Sequence, residues 1–350
     1  MIQILMLADS LSGTGHQRRA EMLCRALLVR GHGVTYLSHA LYDRELAQAP
    51  AFRYVELPAY APALDDPAAL AAVKLDRLRR IVRLRGQAGP FAALICEHYP
   101  LGKLYLDEEV GLLRRHFAAP ALCVYRDIID DGDLAQAEPA LARLNRDFAA
   151  LLVLADPKLL ALPPAFAARV AIPITYLGLL DPHERRKILV FGGGGKLNDE
   201  FYQRTLRVVQ QMTAGLPFET WLYTGSLMDE TAFAALAAQA GPAVHVRRSS
   251  PDLTAELAQA ALTISTLGYN TFVDLLHVNN ANIVAPLLHN DEQMTRARLL
   301  AQIKANVHVL ALDADYETAL AAVLERSLAA APDMGGLRNF VRAVEEIACL

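Results

Sequence analysis

Apolar residues along the chain gather in short runs that alternate with stretches of helical periodicity. Residues 2–7 (IQILML) form the first run and have the length of a strand. A glycine-bearing turn follows, then a helical pattern over about 17–30 that stops at Gly31, a residue suited to the left-handed position after a helix. Residues 34–38 return to strand character and complete one βαβ unit. Further apolar runs occupy 92–96, 121–125 and 151–155, with helical patterns between several of them. Over 70–85 the apolar residues recur at helical spacing, which leaves Arg77, Arg79, Arg80, Arg83 and Arg85 for the remaining faces. Residues 178–187 (GLLDPHERRK) break the pattern: they are polar, aperiodic and contain Pro182, and they read as a linker. The alternation then restarts, with strands at 188–191, 220–223, 244–246, 262–265, 282–285 and 307–310. Helices are predicted over about 198–213, 230–239, 316–330 and 335–348.

This order predicts an α/β fold of two doubly wound parallel-sheet domains, 1–180 and 188–350, with the last helix free to pack back on the first domain. Ligands of such sheets bind at the carboxyl ends of the strands, and two domains facing one another would form a cleft. With 53% hydrophobic and 21% charged residues, bulk disorder is excluded. A net charge of −4 offers no footprint for nucleic acid. No apolar run approaches the roughly 20 residues of a membrane span, although peripheral membrane contact stays open. The start MIQILMLADS has no basic stretch ahead of its apolar run, which predicts no secretory leader. Cys24, Cys96, Cys123 and Cys349 show no CxxC spacing, and three lie in apolar segments. They predict buried free thiols in a reducing cytosol, hence a cytoplasmic protein without a structural zinc.

Four loops carry candidate chemistry, each between a strand and a helix. Gly13, Gly15 and His16 follow the first strand, where a helix start offers free N–H groups to an anion; an ordinary capped turn reads equally well. Gly192, Gly193, Gly194 and Gly195, followed by Lys196, form a run too costly in chain entropy for a plain connection. It is not a Walker A loop, since Lys196 is followed by Leu197. The third loop is Thr266, Gly268, Tyr269, Asn270 and Thr271, opening a helix that carries Asp274. Such a helix start suits a pyrophosphate, and Asp274 is either a ribose ligand or a surface acid favoured by the helix dipole. The fourth holds His289, Asn290, Asp291 and Gln293, polar groups suited to sugar hydroxyls, among which Asp291 is equally a helix cap.

Taken in order, Gly13-Thr14-Gly15-His16, the run from Gly192 to Gly195, SxxGxxTxxD (Ser265, Gly268, Thr271, Asp274) and PxxHxDxQ (Pro286, His289, Asp291, Gln293) resemble the motifs of GT-B glycosyltransferases of the kind that includes the peptidoglycan N-acetylglucosaminyltransferase. The chain is most similar to a bacterial branch of predicted glycosyltransferases. That branch has segments similar to Glu97-His98-Tyr99-Pro100-Leu101-Gly102-Lys103 and Tyr125-Arg126-Asp127-Ile128. The resemblance implies two Rossmann-like domains. It implies that the C-terminal one holds a nucleoside diphosphate sugar, typified by UDP-sugars, as co-substrate. The diphosphate would face the Gly192–Gly195 loop and the Gly268–Thr271 helix start, the ribose Asp274, and the sugar His289 to Gln293. The acid at the ribose position is commonly Glu in the family and is the shorter Asp274 here. The membrane-facing patch of the peptidoglycan enzyme cannot be located in this chain.

The implied reaction is transfer of a sugar to a hydroxyl of a small-molecule or glycan acceptor, inverting and independent of metal. His16 is the first candidate base, because imidazoles titrate near neutral pH; Glu97, His98 and Asp127 are the others. Asp131-Gly132-Asp133 is an Asp-x-Asp pair of the kind that binds metal in other transferases, but it reads as a loop or cap. Hydrolysis of the nucleotide sugar, and epimerisation on the same architecture, are the alternative reactions. A non-enzymatic nucleotide-binding protein is the alternative class, and a dehydrogenase is disfavoured by the missing GxGxxG.

Overall fold

The short apolar runs become parallel strands because both of their faces are buried. The structure is a computed structural model that describes residues 1–11, 13–86, 89–126, 137–181, 186–192, 199–287, 290–330 and 333–349. The chain divides into two units, Met1–Glu184 with Pro332–Leu350, and Arg185–Ala331.

The first unit runs β1 (Gln3–Leu7), α1 (Gly15–Val29), β2 (Gly33–Ser38), β3 (Phe52–Glu56), α2 (Pro67–Arg85), β4 (Ala93–Glu97), α3 (Asp107–His116), β5 (Ala121–Tyr125), α4 (Ala137–Asp147), β6 (Ala150–Val153), α5 (Pro164–Ala167) and β7 (Ile174–Tyr176). Its strands form one sheet in the order β3-β2-β1-β4-β5-β6-β7, and the adjacent pairs are parallel. The pleat of β1 sorts its residues between two layers. Leu5 and Leu7 pack with Ile81 and Leu84 of α2 and Leu113 of α3, while Ile4 and Met6 pack with Leu23 and Leu27 of α1. Each such fully buried side chain contributes roughly 1.5–3 kcal/mol.

The second unit runs β8 (Lys187–Phe191), α6 (Asp199–Thr213), β9 (Glu219–Tyr223), α7 (Glu230–Ala238), β10 (Val244–Arg247), α8 (Leu253–Gln259), β11 (Ala260–Ser265), α9 (Tyr269–Leu276), β12 (Ala281–Val284), α10 (Asp291–Ile303), β13 (Val307–Val309) and α11 (Tyr316–Ala330). Its parallel sheet has the order β10-β9-β8-β11-β12-β13. Ile188 and Val190 face α6 and α11; Leu189 and Phe191 face α9 and α10. Both units are thus doubly wound and Rossmann-like. In each, the strand order reverses between two neighbours, β1 and β4 in the first and β8 and β11 in the second. The crevice outside those strand ends is where ligands of this architecture bind.

The sequence pattern and the structure differ at several points. Strands β3 and β7 have no counterpart among the apolar runs read from the sequence. Both lie at sheet edges and are only half-buried, so neither shows a buried strand's composition. Arg77, assigned to an outer face of its helix, is 0% exposed. The final helix, α12 (Gly336–Ala348), belongs to the first unit, where Phe340, Val341 and Val344 join Ile4, Met6 and Leu27 in one cluster. Part of the linker read at 178–187 lies outside the described residues.

Gly31 closes α1 as expected: at φ +88° its N–H reaches Leu28 O, and the His32 N–H reaches Leu27 O. Cys24, Cys96 and Cys123 are buried and free; burial pushes the Cys96 thiol up to about 12. Among the described residues no helix is long and apolar enough to cross a membrane.

The return of α12 depends on close backbone contact. Leu179 N–H donates to Asp333 O at 2.7 Å, Gly336 N–H to Leu179 O at 3.1 Å, and Asn339 Nδ2 to Leu177 O at 2.8 Å. Gly178 sits at φ +87°, and a Cβ there would lie 2.6 Å from Asp333 O. Gly178→Ala is therefore expected to cost at least about 1–2 kcal/mol from the left-handed backbone alone. Amide exchange within α12 should accelerate; unchanged exchange in that helix would contradict the assignment.

Candidate active site

The first crevice is built on Glu97, the last residue of β4, which is 1% exposed. A carboxylate so deep in the protein must be paired or neutralised. Here it meets three cationic or donor groups. Lys103 Nζ donates to Oε2 at 2.9 Å, Arg19 donates to Oε1 at 3.1 Å from Nη2 and 3.3 Å from Nε, and His16 Nδ1 lies 2.8 Å from Oε2 and 3.0 Å from Oε1. Burial opposes the charge, yet Lys103 and the His16 hydrogen bond outweigh it and hold the Glu97 carboxyl far below the usual carboxylate range. Arg19 Nη2 also lies 3.0 Å from His16 Nδ1. Only one partner suits that nitrogen. An ionised Glu97 can only accept, so Nδ1 carries the proton and Arg19 bonds the carboxylate. His16 Nε2 is then the basic nitrogen, on a side chain 21% exposed.

His16 reaches this position because it lies in the first turn of α1, one residue past Gly15, in the helix that follows β1. Beside it stands His98, with ring centroids 4.9 Å apart. His98 lies in the left-handed region at φ 68°, held by its N–H to Val124 O at 2.7 Å and by Nδ1 to Leu101 O at 3.0 Å. Burial, against the pull of Glu97, pushes His98 down to about 3, so it is a neutral ring stacked on Tyr125 at 4.2 Å.

A second buried group of charges supports the first. Asp9 lies two residues past β1 and is fully buried, with Arg77 Nη1 2.8 Å from its Oδ2 and His39 Nδ1 3.5 Å from its Oδ1. Arg77 also donates from Nε to Glu109 at 2.8 Å and from Nη1 to Pro58 O at 2.7 Å, and its guanidinium covers the Tyr60 ring at 4.3 Å. The Tyr60 hydroxyl donates to Glu109. Sequence reasoning did not single out Asp9, placed Arg77 on an outer face, and noted Lys103 without a role. The available signal was an acid just past the first strand, together with an arginine at a core position of α2.

In the second unit the loop after β8 is braced from within. Gly192 N–H donates to the Tyr202 hydroxyl at 2.6 Å, which donates to Tyr223 O at 2.9 Å, and Thr266 Oγ1 donates to Gly192 O at 2.8 Å. Gly192 and Thr266 thereby tie the ends of β8 and β11 together. Helix α9 begins after Gly268 with no side-chain cap, so among the described residues the first-turn N–H groups of Tyr269, Asn270 and Thr271 have no side-chain acceptor. Tyr269 and Asn270 are exposed, Thr271 is buried, and Asp274 lies half-buried one turn in.

At α10 the cap is Asn290 rather than Asp291: Asn290 Oδ1 accepts the Gln293 N–H at 3.1 Å, and Gln293 Oε1 accepts the Leu287 N–H at 3.0 Å. Among the described residues the NH₂ groups of Asn290 and Gln293 have no acceptor, and Asp291 is exposed in the first turn. Gly13 and Gly15 flank the start of α1. Asp127, the Asp131 and Asp133 pair, Gly193, Gly194, Gly195, Lys196 and His289 lie outside the described residues. Among the described residues no three His, Cys, Asp or Glu side chains are grouped to hold a metal ion.

No protein-family model matches the chain, and no curated protein does. Solved structures similar to it include MurG of Acinetobacter baumannii, at 16% identity over 100% of each chain and a TM-score of 0.39. The calicheamicin glycosyltransferase CalG4 is similar at 16% identity, over 100% of this chain and 94% of that one, with a TM-score of 0.36. The spinosyn forosaminyltransferase SpnP is similar at 16% identity over 100% of each chain, with a TM-score of 0.37. Likeness of that degree leaves the chemistry to be argued from this chain's own residues.

Two expectations follow from the buried charges. Arg77→Leu removes the cation that Asp9 and Glu109 share and should lower stability to urea by about 3–5 kcal/mol; a loss below about 1 kcal/mol would show that the pairs are dispensable. Asp9 and Glu97 both have lowered values, against the effect of their burial. Their contribution is present above about pH 4.5, the unfolded range, and is lost as pH falls toward their folded values. The thermal midpoint should therefore drop as pH is lowered below about 4.5, and a flat profile down to about pH 3 would contradict the assignment.

Proposed function

We propose that the chain transfers a sugar from a nucleoside diphosphate sugar to an acceptor hydroxyl, with inversion and without a metal. The observation that carries the reading is the His16–Glu97 pair at the reversal of the first sheet. A buried carboxylate fixes the protonated Nδ1 of an accessible imidazole and leaves Nε2 as the base. In the reaction, His16 Nε2 takes the proton of the acceptor hydroxyl as its oxygen attacks the anomeric carbon. The bond to the diphosphate breaks and the leaving group departs with the electron pair. Glu97, almost without exposure behind His16, stabilises the imidazolium and does not serve as a nucleophile, which favours a single inverting displacement.

The second unit supplies the donor's binding groups. The uncapped start of α9 offers N–H groups and the positive end of a helix dipole to the diphosphate, supporting the leaving group without a metal. Asp274 would accept from the ribose hydroxyls, and the free amides of Asn290 and Gln293 would donate to the sugar. The segments similar to GT-B glycosyltransferases run through both sets of residues in the same order.

A thermal-shift panel of UDP, TDP, GDP and CDP with their sugars tests the donor. One diphosphate should raise the midpoint by linkage, and the shift should shrink in Asp274→Ala. No stabilisation by any of them would defeat the reading. His16→Ala should keep the donor-induced shift while turnover falls by about 10²–10⁴-fold. Undiminished turnover would remove His16 as the base, and release of free sugar at full speed without acceptor would indicate hydrolysis instead.

A further inference from the structure

Lys103 is more fully buried than a lysine ordinarily is, and its whole donor capacity is committed. Its Nζ donates to Glu97 Oε2 at 2.9 Å, to the Glu97 main-chain oxygen at 3.3 Å and to the main-chain oxygen of Asp9. An ammonium has three protons, and here each has one acceptor. Two of the acceptors belong to the end of β4 and one to the segment just past β1. The lysine therefore joins the two strand ends that bound the first crevice.

The loop from 98 to 103 is shaped to deliver it. His98 and Gly102 both take left-handed backbone, at φ 68° and 72°. His98 closes onto Leu101 O through Nδ1, and Lys103 N–H returns to Pro100 O at 3.3 Å. This tight fold brings Lys103 back beneath the residue that ends the strand.

The groups facing His16 among the described residues are Glu97 of β4, Arg19 of α1 and the neutral His98 ring, with Lys103 on the far side of Glu97. Arg19 holds Oε1 from a side chain 28% exposed, whereas Lys103 holds Oε2 from one 5% exposed. Arg19 can exchange Glu97 for water; Lys103 has no such freedom. Once Oε2 is fixed, the plane of the carboxylate is set, and so is its aim at Nδ1.

We infer that Lys103 is a positioning residue that acts through Glu97. It keeps the carboxylate ionised and oriented so that His16 holds its proton on Nδ1 and presents Nε2 as the base. This rests on the transferase reading for its catalytic consequence, though not for its effect on the imidazole. Burial lowers the Lys103 ammonium, opposed by Glu97, as two charges that depend on one another require.

A double-mutant cycle on Glu97→Gln and Lys103→Met tests the inference. In ¹⁵N spectra of the histidine side chains, with the His16 signal assigned by its loss in His16→Ala, the wild type should show the Nδ1–H tautomer. Lys103→Met should shift His16 toward the Nε2–H tautomer. Its kcat should fall by about 10- to 100-fold, part of what a positioned base supplies, with the KM for the donor little changed. On the Glu97→Gln background, adding Lys103→Met should change kcat by less than about twofold. A folded Lys103→Met with an unchanged His16 tautomer overturns the inference, and so does a loss of kcat that adds in full to that of Glu97→Gln. If Lys103→Met alone does not fold, Glu97→Gln and the double variant are compared, since removing both charges together avoids an uncompensated buried ion. Equal kcat and equal tautomer in those two support the inference, and a further loss in the double variant overturns it. If no donor is turned over at all, the transferase reading fails while the spectra still decide the role of Lys103.

Discussion

A carboxylate with almost no access to water cannot stand alone, and the first crevice is organised around that constraint. Glu97 needs cations, and the chain supplies them from two directions: a lysine folded back beneath the strand end and an arginine from the first helix. Asp9 and Glu109 impose the same need elsewhere in the core, and Arg77 answers both. Such clusters add little net stability compared with well-packed apolar residues. What they add is a fixed geometry, because each charge has few other partners. The loop shape at 98–103, the burial of Arg77 and the tautomer of His16 all follow from the requirement that no charge be left unmatched.

The two units treat their polar groups by opposite means. The first pairs buried carboxylates with cations and sets beside them a partly exposed imidazole, His16. The second leaves the main chain unsatisfied, because α9 begins at a glycine that brings no cap. Fixed dipoles at a helix start attract an anion without any net positive charge on the protein. The overall balance of −4 is therefore no bar to an anionic ligand, since a helix start can attract one locally.

Much of the fold was readable because parallel strands buried on both faces must be apolar throughout, as Ile188 to Phe191 and Ala121 to Tyr125 are. Strands β3 and β7 escaped because an edge position relaxes that demand, and Phe52 to Glu56 carries an arginine and a glutamate as a result. His16 and Glu97 were readable as candidates from their places beside strand ends. Their pairing was not, since 81 residues separate them and only the strand order brings them together. Arg77 was misplaced because helical periodicity assumes that charge faces water, an assumption that fails where buried carboxylates supply a partner. Asp291 gave way to Asn290 as cap because adjacent polar residues look alike in sequence, and only the backbone dihedrals decide which one precedes the first turn.

The placement of α12 has a consequence for the birth of the molecule. Phe340, Val341 and Val344 complete an apolar layer begun by Ile4, Met6 and Leu23, yet they leave the ribosome only after the whole of Arg185–Ala331. The second unit is continuous in sequence and can close as soon as it emerges. The first, although begun earlier, must wait with part of one face of its sheet, the part α1 does not cover, exposed until the last helix arrives. Order of synthesis and order of completion are thus reversed, and for that interval the nascent chain carries an exposed apolar patch of the kind chaperones recognise.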